Sequence, residues 1–208
     1  MSKTGNAVKI FNEYALQYEA KYMNVDAYSP SLDVFCKLLP KSEATVLELA
    51  CGPGNITKYL LQKQPTLQIL ATDLSENMLN LAARNNPKVN TQKLDCKDIK
   101  KLEKRFDALV CGFGLPYLSK EETKRLITDA AEVLNSKGVL YLSTMEGNYV
   151  DSGYVGPSSD PEKKELYTFY HEAPYLLKTL EESGFNNVIV DRIQHSETET
   201  DLIIIAQK

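Results

Sequence analysis

The chain has 208 residues, 43% of them hydrophobic, and a formal net charge of −4; this length fits one domain of moderate size. The acidic balance argues against nucleic acid as a partner, because phosphate binding needs an excess of Lys and Arg on one face. With no C-x-x-C pair, only two histidines, no apolar run of about 18 residues and no signal-like N-terminus, we expect no metal site, no membrane contact and a cytoplasmic location.

The first forty residues predict a helical cap ahead of the first strand. Residues 6–23 are predicted to form one helix whose aromatic face carries Tyr14, Tyr18 and Tyr22, because these residues recur at every fourth position. Ser29 and Pro30 then indicate the N-cap and the first turn of a second helix.

From residue 45 onward, predicted strands alternate with predicted helices. The strands are expected at 45–49, 67–72, 89–94, 106–113, 138–144, 188–193 and 202–206. Helices are expected at 55–64, 75–84, 119–134 and 172–183. This alternation predicts an α/β fold, a doubly wound Rossmann-like sheet of seven mostly parallel strands with helices on both faces. The last two strands are joined by a short polar turn, so we expect a terminal antiparallel hairpin.

We expect one domain over residues 1–208, made of four consecutive parts. They are the cap (1–40), a ligand-binding core (45–145), a lid-like insertion (146–171) and a C-terminal helix with its hairpin (172–208). The Gly, Ser and Pro content of the insertion suits a mobile lid.

Four strand ends predict a ligand site. Glu48, Asp73, Asp95 and Gly112 lie at or near the carboxyl ends of four successive strands, and open parallel sheets bind ligands at that edge. The turn Gly52-Pro53-Gly54 follows the first of these ends. The third glycine of the nicotinamide dinucleotide fingerprint is replaced by Thr57. Because the Glu48 carboxylate would repel a pyrophosphate, these residues favour a cationic nucleoside.

With these motifs, residues 45–145 resemble class I S-adenosylmethionine-dependent methyltransferases. The stretch ELACGPG, residues 48–54, is similar to the first motif of that family, an acidic residue followed by G-x-G-x-G, with Ala50 in place of the first glycine. The stretch LNSKGV is similar to the family's L-x-P-G-G turn, with Ser136 and Lys137 in place of Pro and the first Gly.

The resemblance implies S-adenosylmethionine as cofactor and S-adenosylhomocysteine as product. It implies that Asp73 holds the ribose hydroxyls and that Asp95 and the Cys96 backbone bind the adenine edge. Backbone carbonyls near Gly112 would accept hydrogen bonds from the methionine amino group. The predicted cofactor set is Glu48, Ala50, Cys51, Gly52, Gly54, Asp73, Leu74, Met78, Asp95, Cys96, Gly112 and Phe113, with Tyr14 and Tyr18 from the cap.

The acceptor is expected to be a small molecule, and its site is less clearly marked. His171 and Tyr117 are the candidate catalytic residues, although a capping or packing role suits each of them as well. The predicted acceptor-binding residues are Tyr22, Tyr117, Tyr149, Tyr154 and His171. His195 falls in a polar turn and is expected to be solvated.

Three other functions remain open. A nicotinamide oxidoreductase is disfavoured by Glu48 and Thr57, and an aminopropyl transferase would need acidic residues for a polyamine. A non-catalytic binding protein of the same fold is the third alternative, against which the complete set of cofactor residues argues.

Overall fold

Within residues 3–155 and 165–208, the residues that this computed structural model describes, the chain forms one seven-stranded sheet and a separate two-stranded sheet. The helices are α1 Lys3–Glu13, α2 Ala15–Tyr22, α3 Ser29–Leu38, α4 Asn55–Lys63, α5 Glu76–Asn85, α6 Lys120–Val133 and α7 Ala173–Glu182. The strands are β1 Thr45–Leu49, β2 Gln68–Asp73, β3 Asn90–Lys93, β4 Phe106–Gly112, β5 Leu134–Glu146, β6 Gly153–Val155, β7 Leu166–Thr168, β8 Asn186–Gln194 and β9 Thr200–Gln207. Short 3₁₀ turns lie at Asp26–Tyr28, Cys96–Leu102, Leu115–Tyr117 and Tyr149–Asp151.

The predicted α/β fold is confirmed by the order of the strands, β3-β2-β1-β4-β5-β9-β8. Strands β1 to β5 pair in parallel, whereas β9 lies between β5 and β8 and is antiparallel to both. The order reverses at β1, so β1 and β4 flank the switch point where ligands bind in such sheets.

The sheet buries a hydrophobic layer on each face, because successive side chains of a strand point to opposite sides. Leu47 of β1 belongs to the layer that packs against α6 and α7, and Val46 belongs to the layer that packs against α3 and α4. β4 is buried at every position from Phe106 to Cys111. Burial on both faces explains why this strand is apolar from Ala108 to Cys111.

The prediction of one helix over residues 6–23 is wrong, because the helix is interrupted at Tyr14 and forms α1 and α2. The cause is a tertiary contact. The backbone carbonyl of Asn12 accepts a hydrogen bond from Asn77 Nδ2 (2.7 Å), and its side-chain oxygen accepts from Ser75 Oγ (3.0 Å) and from the Asn77 backbone (2.9 Å). These bonds dock the end of α1 on the start of α5.

Other boundaries differ locally. Ser29 is the first residue of α3 rather than its cap, and its hydroxyl donates to the Asp26 carbonyl (2.8 Å). β5 begins at Leu134 rather than at 138, because Leu134 is already extended directly after α6. The predicted insertion carries the hairpin β6–β7, and residues 156–164 of it lie outside the described residues.

Candidate active site

The turn between β1 and α4 is held in the left-handed backbone region at three alternate residues. Ala50, Gly52 and Gly54 have φ values of 50°, 52° and 79°. Left-handed backbone is costly for residues with a side chain, which explains why this turn is rich in glycine. Gly54 leaves no room for a side chain, since a Cβ there would lie 2.4 Å from Asn86 Nδ2. Ala50 therefore carries backbone strain in a wall of the cavity described below.

Asp73, at the end of β2, is bonded to the glycine turn. Its Oδ2 accepts a hydrogen bond from the Gly52 backbone (2.9 Å), and its Oδ1 accepts from the Ser75 backbone (2.8 Å). Burial raises the pKa of this carboxyl. Two carboxylate oxygens offer about four acceptor positions, so Asp73 can still accept from the two hydroxyls of a diol.

Glu48 is a buried carboxyl inside β1, with 1% of its surface exposed. Thr57 Oγ1 donates a hydrogen bond to it, so the threonine that replaces the third glycine has a specific partner. Burial raises the pKa of Glu48 to about 8, and the neighbouring Asp73 charge adds to the effect. A carboxyl in this state gains from a cationic ligand, because a nearby positive charge stabilises its ionised form.

A cavity of about 470 Å³ lies at the carboxyl edge of the sheet. Its lining includes Gly112, the last residue of β4, Ser143, which pairs with Gly112 on β5, and Glu48 of β1. The other walls are largely aromatic and include Tyr18, Tyr22, Tyr28, Phe113, Tyr117 and Tyr141. The volume and the mixture of apolar walls with a few polar groups are typical of small-molecule sites.

Two small cavities, of about 70 and 60 Å³, adjoin the main one. All three share Ala50 and Tyr117 as walls. The first is bounded by Asp73, Leu74 and Cys96, together with Ala7 of α1. The second is bounded by Asp73, Gly52 and Met78, together with Tyr18 of α2. These spaces lie where the sequence predicts the nucleoside crevice, and the cap helices form one wall.

A further cavity of about 660 Å³ lies at the opposite edge of the sheet. Thr45, Gln68, Asn90 and Phe106, which line it, are the first residues of β1 to β4. In open α/β sheets the ligand crevice lies at the carboxyl ends of the strands, so this cavity is not the candidate site.

Several predicted site residues lie elsewhere. Asp95 caps the Cys96–Leu102 turn by accepting from the Lys97 backbone (3.0 Å), and it pairs with Lys97 Nζ (3.6 Å). Gly54 caps α4. Neither residue, nor Tyr14 at the break between α1 and α2, is among the described residues that line the three cavities.

The two tyrosines of the predicted lid pack against other elements. Tyr149 stacks on Phe169 with ring centroids 5.9 Å apart, and its hydroxyl accepts from the Lys120 backbone (3.2 Å). Tyr154 lies on β6, 61% exposed, with its ring against Tyr167. Within the described residues, neither tyrosine borders the main cavity.

His171 does not occupy the position of a base that faces a substrate. It is completely buried, its Nε2 lies 2.8 Å from the Leu115 carbonyl oxygen, and its Nδ1 bonds the Tyr175 hydroxyl. Burial lowers its pKa. Both ring nitrogens are engaged, and among the described residues His171 lines none of the three cavities. The geometry is that of a buried packing residue.

Sequence reasoning missed a polar cluster in the main cavity. His195 Nε2 lies 2.6 Å from Asp201 Oδ2, and the Tyr28 hydroxyl donates to the same oxygen (2.7 Å). All three residues line the cavity. The topology gives the signal that could have found them. Because β9 is antiparallel to β5, its first residues lie at the carboxyl edge of the parallel strands.

Among residues 3–155 and 165–208, no group of three or more His, Cys, Asp or Glu side chains is arranged to hold a metal ion. None of the helices in the same residues is long and apolar enough to cross a bilayer.

Comparison with known proteins identifies the class. Residues 46–138 match the family described as "Methyltransferase domain". A malonyl-[acyl-carrier protein] O-methyltransferase from Bacillus anthracis is 29% identical over 141 residues, which are 65% of this chain and 51% of that protein. A tRNA N(3)-methylcytidine methyltransferase from Schizosaccharomyces pombe is 25% identical over 186 residues, 79% of this chain and 73% of that protein. This chain spans about half the length of several curated relatives, the Bacillus protein among them.

The fold has solved counterparts. Magnesium protoporphyrin IX methyltransferase from Synechocystis PCC 6803, solved with bound S-adenosylhomocysteine, superposes with a TM-score of 0.76 over 100% of both chains at 15% identity. At that identity the likeness shows the fold alone. Together with the domain match, it confirms the resemblance read from the sequence. Residues 46–138 match a methyltransferase domain, and the chain has the class I S-adenosylmethionine-dependent methyltransferase fold.

Proposed function

We propose that this protein transfers a methyl group from S-adenosylmethionine to a small-molecule acceptor. The observation that carries the proposal is the position of Asp73. Its carboxylate accepts a hydrogen bond from the glycine turn and borders the two small cavities. The main cavity adjoins them at the sheet edge and has largely aromatic walls. A crevice for a nucleoside and a cavity for a second molecule thus share Ala50 and Tyr117 as walls.

The residues present fit the cofactor. Asp73 suits the ribose diol, Leu74 and Met78 are apolar walls for the adenine, and Cys96 lies in the same wall. The buried Glu48 suits the positively charged end of the cofactor, since a cation offsets the cost of an ionised carboxylate there. Structural neighbours of this fold have been solved with the cofactor or its product.

The cofactor supplies a methyl group on a positively charged sulfur. The contribution of the protein is mainly to hold the acceptor in line with that group and to exclude water, and such positioning can be worth about 7–11 kcal/mol. Tyr18 and Tyr22 close the cavity from the cap side, while Phe113 and Tyr117 close it from the β4 side.

Tyr117 serves in this proposal as a wall and a hydrogen-bond donor. Burial raises its pKa well above the usual range of a phenol, so its hydroxyl stays protonated at neutral pH. The same holds for Tyr18, whose pKa is raised by burial and by the charges of Tyr22 and Asp73. Neither tyrosine is suited to remove a proton from an acceptor.

A small acceptor suits a cavity of about 470 Å³ and the net charge of −4. The relative from Schizosaccharomyces pombe is named as an enzyme that acts on tRNA. Nucleic-acid binding needs a basic face, and the acidic net charge of this chain favours a small acceptor instead. The four free cysteines, three of which are buried, suit the reducing cytoplasm that the sequence predicts.

Calorimetric titration with S-adenosylhomocysteine, with NAD in a parallel experiment, tests the proposal. We expect binding of the first and none of the second. Asp73→Ala should weaken binding by about 1–3 kcal/mol through the lost ribose contact. Asp98→Ala is the matched control, because Asp98 forms an exposed ion pair with Lys101 and its removal should leave affinity unchanged. Binding of NAD alone would indicate an oxidoreductase, and binding of neither would favour a non-catalytic protein.

A further inference from the structure

The cluster of His195, Asp201 and Tyr28 has a defined proton arrangement. A carboxylate only accepts hydrogen bonds, so the contact of 2.6 Å from His195 Nε2 to Asp201 Oδ2 places the ring hydrogen of neutral His195 on Nε2. Nδ1 then carries the lone pair. Within the described residues no hydrogen bond uses Nδ1, and the side chain is 40% exposed on the cavity wall.

The turn that carries His195 is held by backbone bonds. The His195 backbone N–H donates to the Glu199 carbonyl (2.9 Å), and Ser196 Oγ accepts from the Glu199 backbone (3.1 Å). The hairpin register pairs Gln194 with Thr200, directly below the turn. A proton acceptor on such a turn has a fixed position relative to the sheet.

His195 lies at the end of the cavity away from the cofactor residues. Glu48 is on β1 and Asp201 is on β9, and in the sheet order these strands are three steps apart. Neighbouring strands are about 4.8 Å apart, so β1 and β9 are offset by roughly 14 Å across the sheet. The register adds an offset along the strands, because Glu48 is level with Tyr141 of β5 whereas Asp201 pairs with Met145. The acceptor hydroxyl must therefore lie between the methyl group and His195 Nδ1 and contact both, with the rest of the acceptor against the aromatic walls.

We propose that His195 is the general base that takes the proton from an aromatic hydroxyl acceptor, and that Asp201 is the residue that positions it. This inference rests on the proposed methyl transfer. The aromatic walls, Tyr22, Tyr28 and Phe113 among them, suit a planar ring. A phenolic hydroxyl is mostly neutral at physiological pH, since its ordinary pKa is about 10, so its methylation needs a base.

The step balances without any other reactant. An oxygen lone pair of the acceptor forms the new O–C bond to the methyl carbon. The C–S bond breaks and its electron pair stays on sulfur. The hydroxyl proton passes to His195 Nδ1, and Asp201 stabilises the resulting imidazolium. Asp and His act in this way in the hydrolase triad, where the carboxylate fixes the tautomer and orients the ring.

Besides His195 and Asp201, other ionisable groups line the same cavity. They are Tyr18, Lys21, Tyr22, Tyr28, Glu48, Cys51, Tyr117, Tyr141 and Glu199. Burial and the Asp201 carboxylate raise the pKa of Tyr28, so its hydroxyl remains the donor to Asp201. Tyr141 is buried and contacts Ser31 Oγ (3.1 Å). Imidazole is the side-chain type suited to proton transfer near neutral pH, and His195 is the histidine among the described residues that line this cavity.

The test compares two acceptors of the same shape at about pH 8. The first, 4-methylphenol, is mostly neutral at this pH, whereas the second, 4-methylthiophenol, is mostly ionised and needs no base. Formation of S-adenosylhomocysteine is measured for wild type and for His195→Gln, whose amide can still donate to Asp201. We expect the variant to lose about 10²–10⁴-fold in kcat with the phenol and to change little with the thiol. Glu197→Gln is the matched control, because Glu197 is exposed in the same turn.

Asp201→Asn should lower kcat for the phenol with little change in KM, and it should spare the thiol in the same way. Equal losses with both acceptors in either variant would show a structural role and overturn the proposal. So would unchanged phenol turnover, or the absence of turnover of both probes by a wild type that binds S-adenosylhomocysteine. Failure of wild type to bind S-adenosylhomocysteine would instead refute the proposed function, so the two failures are distinguishable.

Discussion

The cofactor half and the acceptor half of the candidate site are built differently. The cofactor half, around Asp73, depends on strand ends and on one glycine turn. Its contact between Asp73 and the Gly52 backbone joins residues 21 positions apart. In the acceptor half, Tyr28 bonds Asp201 across 173 positions. Methyltransferase-like motifs therefore mark the first half along the chain, whereas the second exists only after the cap and the terminal hairpin meet.

The two histidines show the same contrast. His171 has the more suggestive sequence position, beside tyrosines and before a helix, yet it is fully buried with both nitrogens bonded. His195 lies in a polar turn that the sequence predicts to be solvated, yet it lines the cavity and its Nε2 bonds Asp201. The four predictions below test this division, beginning with the largest expected effect.

Replacing His171 by Ala should lower the free energy of unfolding by about 3–5 kcal/mol. The change leaves a cavity and removes the partners of the Leu115 carbonyl and the Tyr175 hydroxyl. Chemical denaturation measures it. His195→Ala is the matched control and should cost about 0.5 kcal/mol or less, because that side chain is 40% exposed. A stable His171→Ala protein would contradict the packing role.

Gly54→Ala tests the cofactor half. The residue has φ 79°, and a Cβ would lie 3.1 Å from the Ala82 backbone as well as against Asn86. We expect a loss of about 2–3 kcal/mol of stability. Gly153→Ala is the control, because a Cβ there meets nothing closer than 4.0 Å. Equal melting temperatures of the two variants would show that the turn tolerates a side chain.

Glu48→Gln should change the pH dependence of stability. The carboxyl ionises near its ordinary pKa in the unfolded chain, but only at about pH 8 in the folded protein. Between these values the unfolded state loses protons that the folded state keeps, so wild type loses stability as pH rises, by up to about 1.4 kcal/mol per pH unit.

The Gln variant lacks this contribution of Glu48, so its stability relative to wild type should increase from about pH 5 to about pH 8. Urea denaturation at several pH values measures the difference. A difference that stays constant with pH would mean that Glu48 is ionised in the folded protein.

The smallest effect is expected at Lys137, in the turn where the family pattern has a glycine. Its φ is 62° and its side chain is exposed. Lys137→Gly should therefore stabilise the protein by about 0.5–1 kcal/mol, since relief of the left-handed strain exceeds the entropy cost of glycine. Lys137→Ala keeps the Cβ and should give no gain. A gain in both variants would implicate the lysine charge instead.

The sequence predicts features that depend on neighbouring residues, such as the starts of helices. The helices expected from residues 75 and 119 begin there, with Ser75 as the cap of α5 and a capping box of Ser119 and Glu122 at α6, because each cap involves neighbouring residues. Asp95 shows the limit of a strand-end pattern. Its carboxylate accepts from the Lys97 backbone and pairs with Lys97 Nζ, and a pattern of spacing does not distinguish a cap from a ligand contact, so its contact with the adenine stays a prediction.

The sequence by itself determined the alternating α/β fold, the glycine turn and the acidic strand ends, because period, turn chemistry and capping act over a few residues. Only the tertiary structure decided where α1 ends, since Asn12 is held there by Asn77. Only the tertiary structure decided which histidine faces the cavity, since β9 is inserted between β5 and β8 and brings Asp201 to the carboxyl edge. These outcomes depend on contacts between distant segments, and local propensity does not encode such contacts.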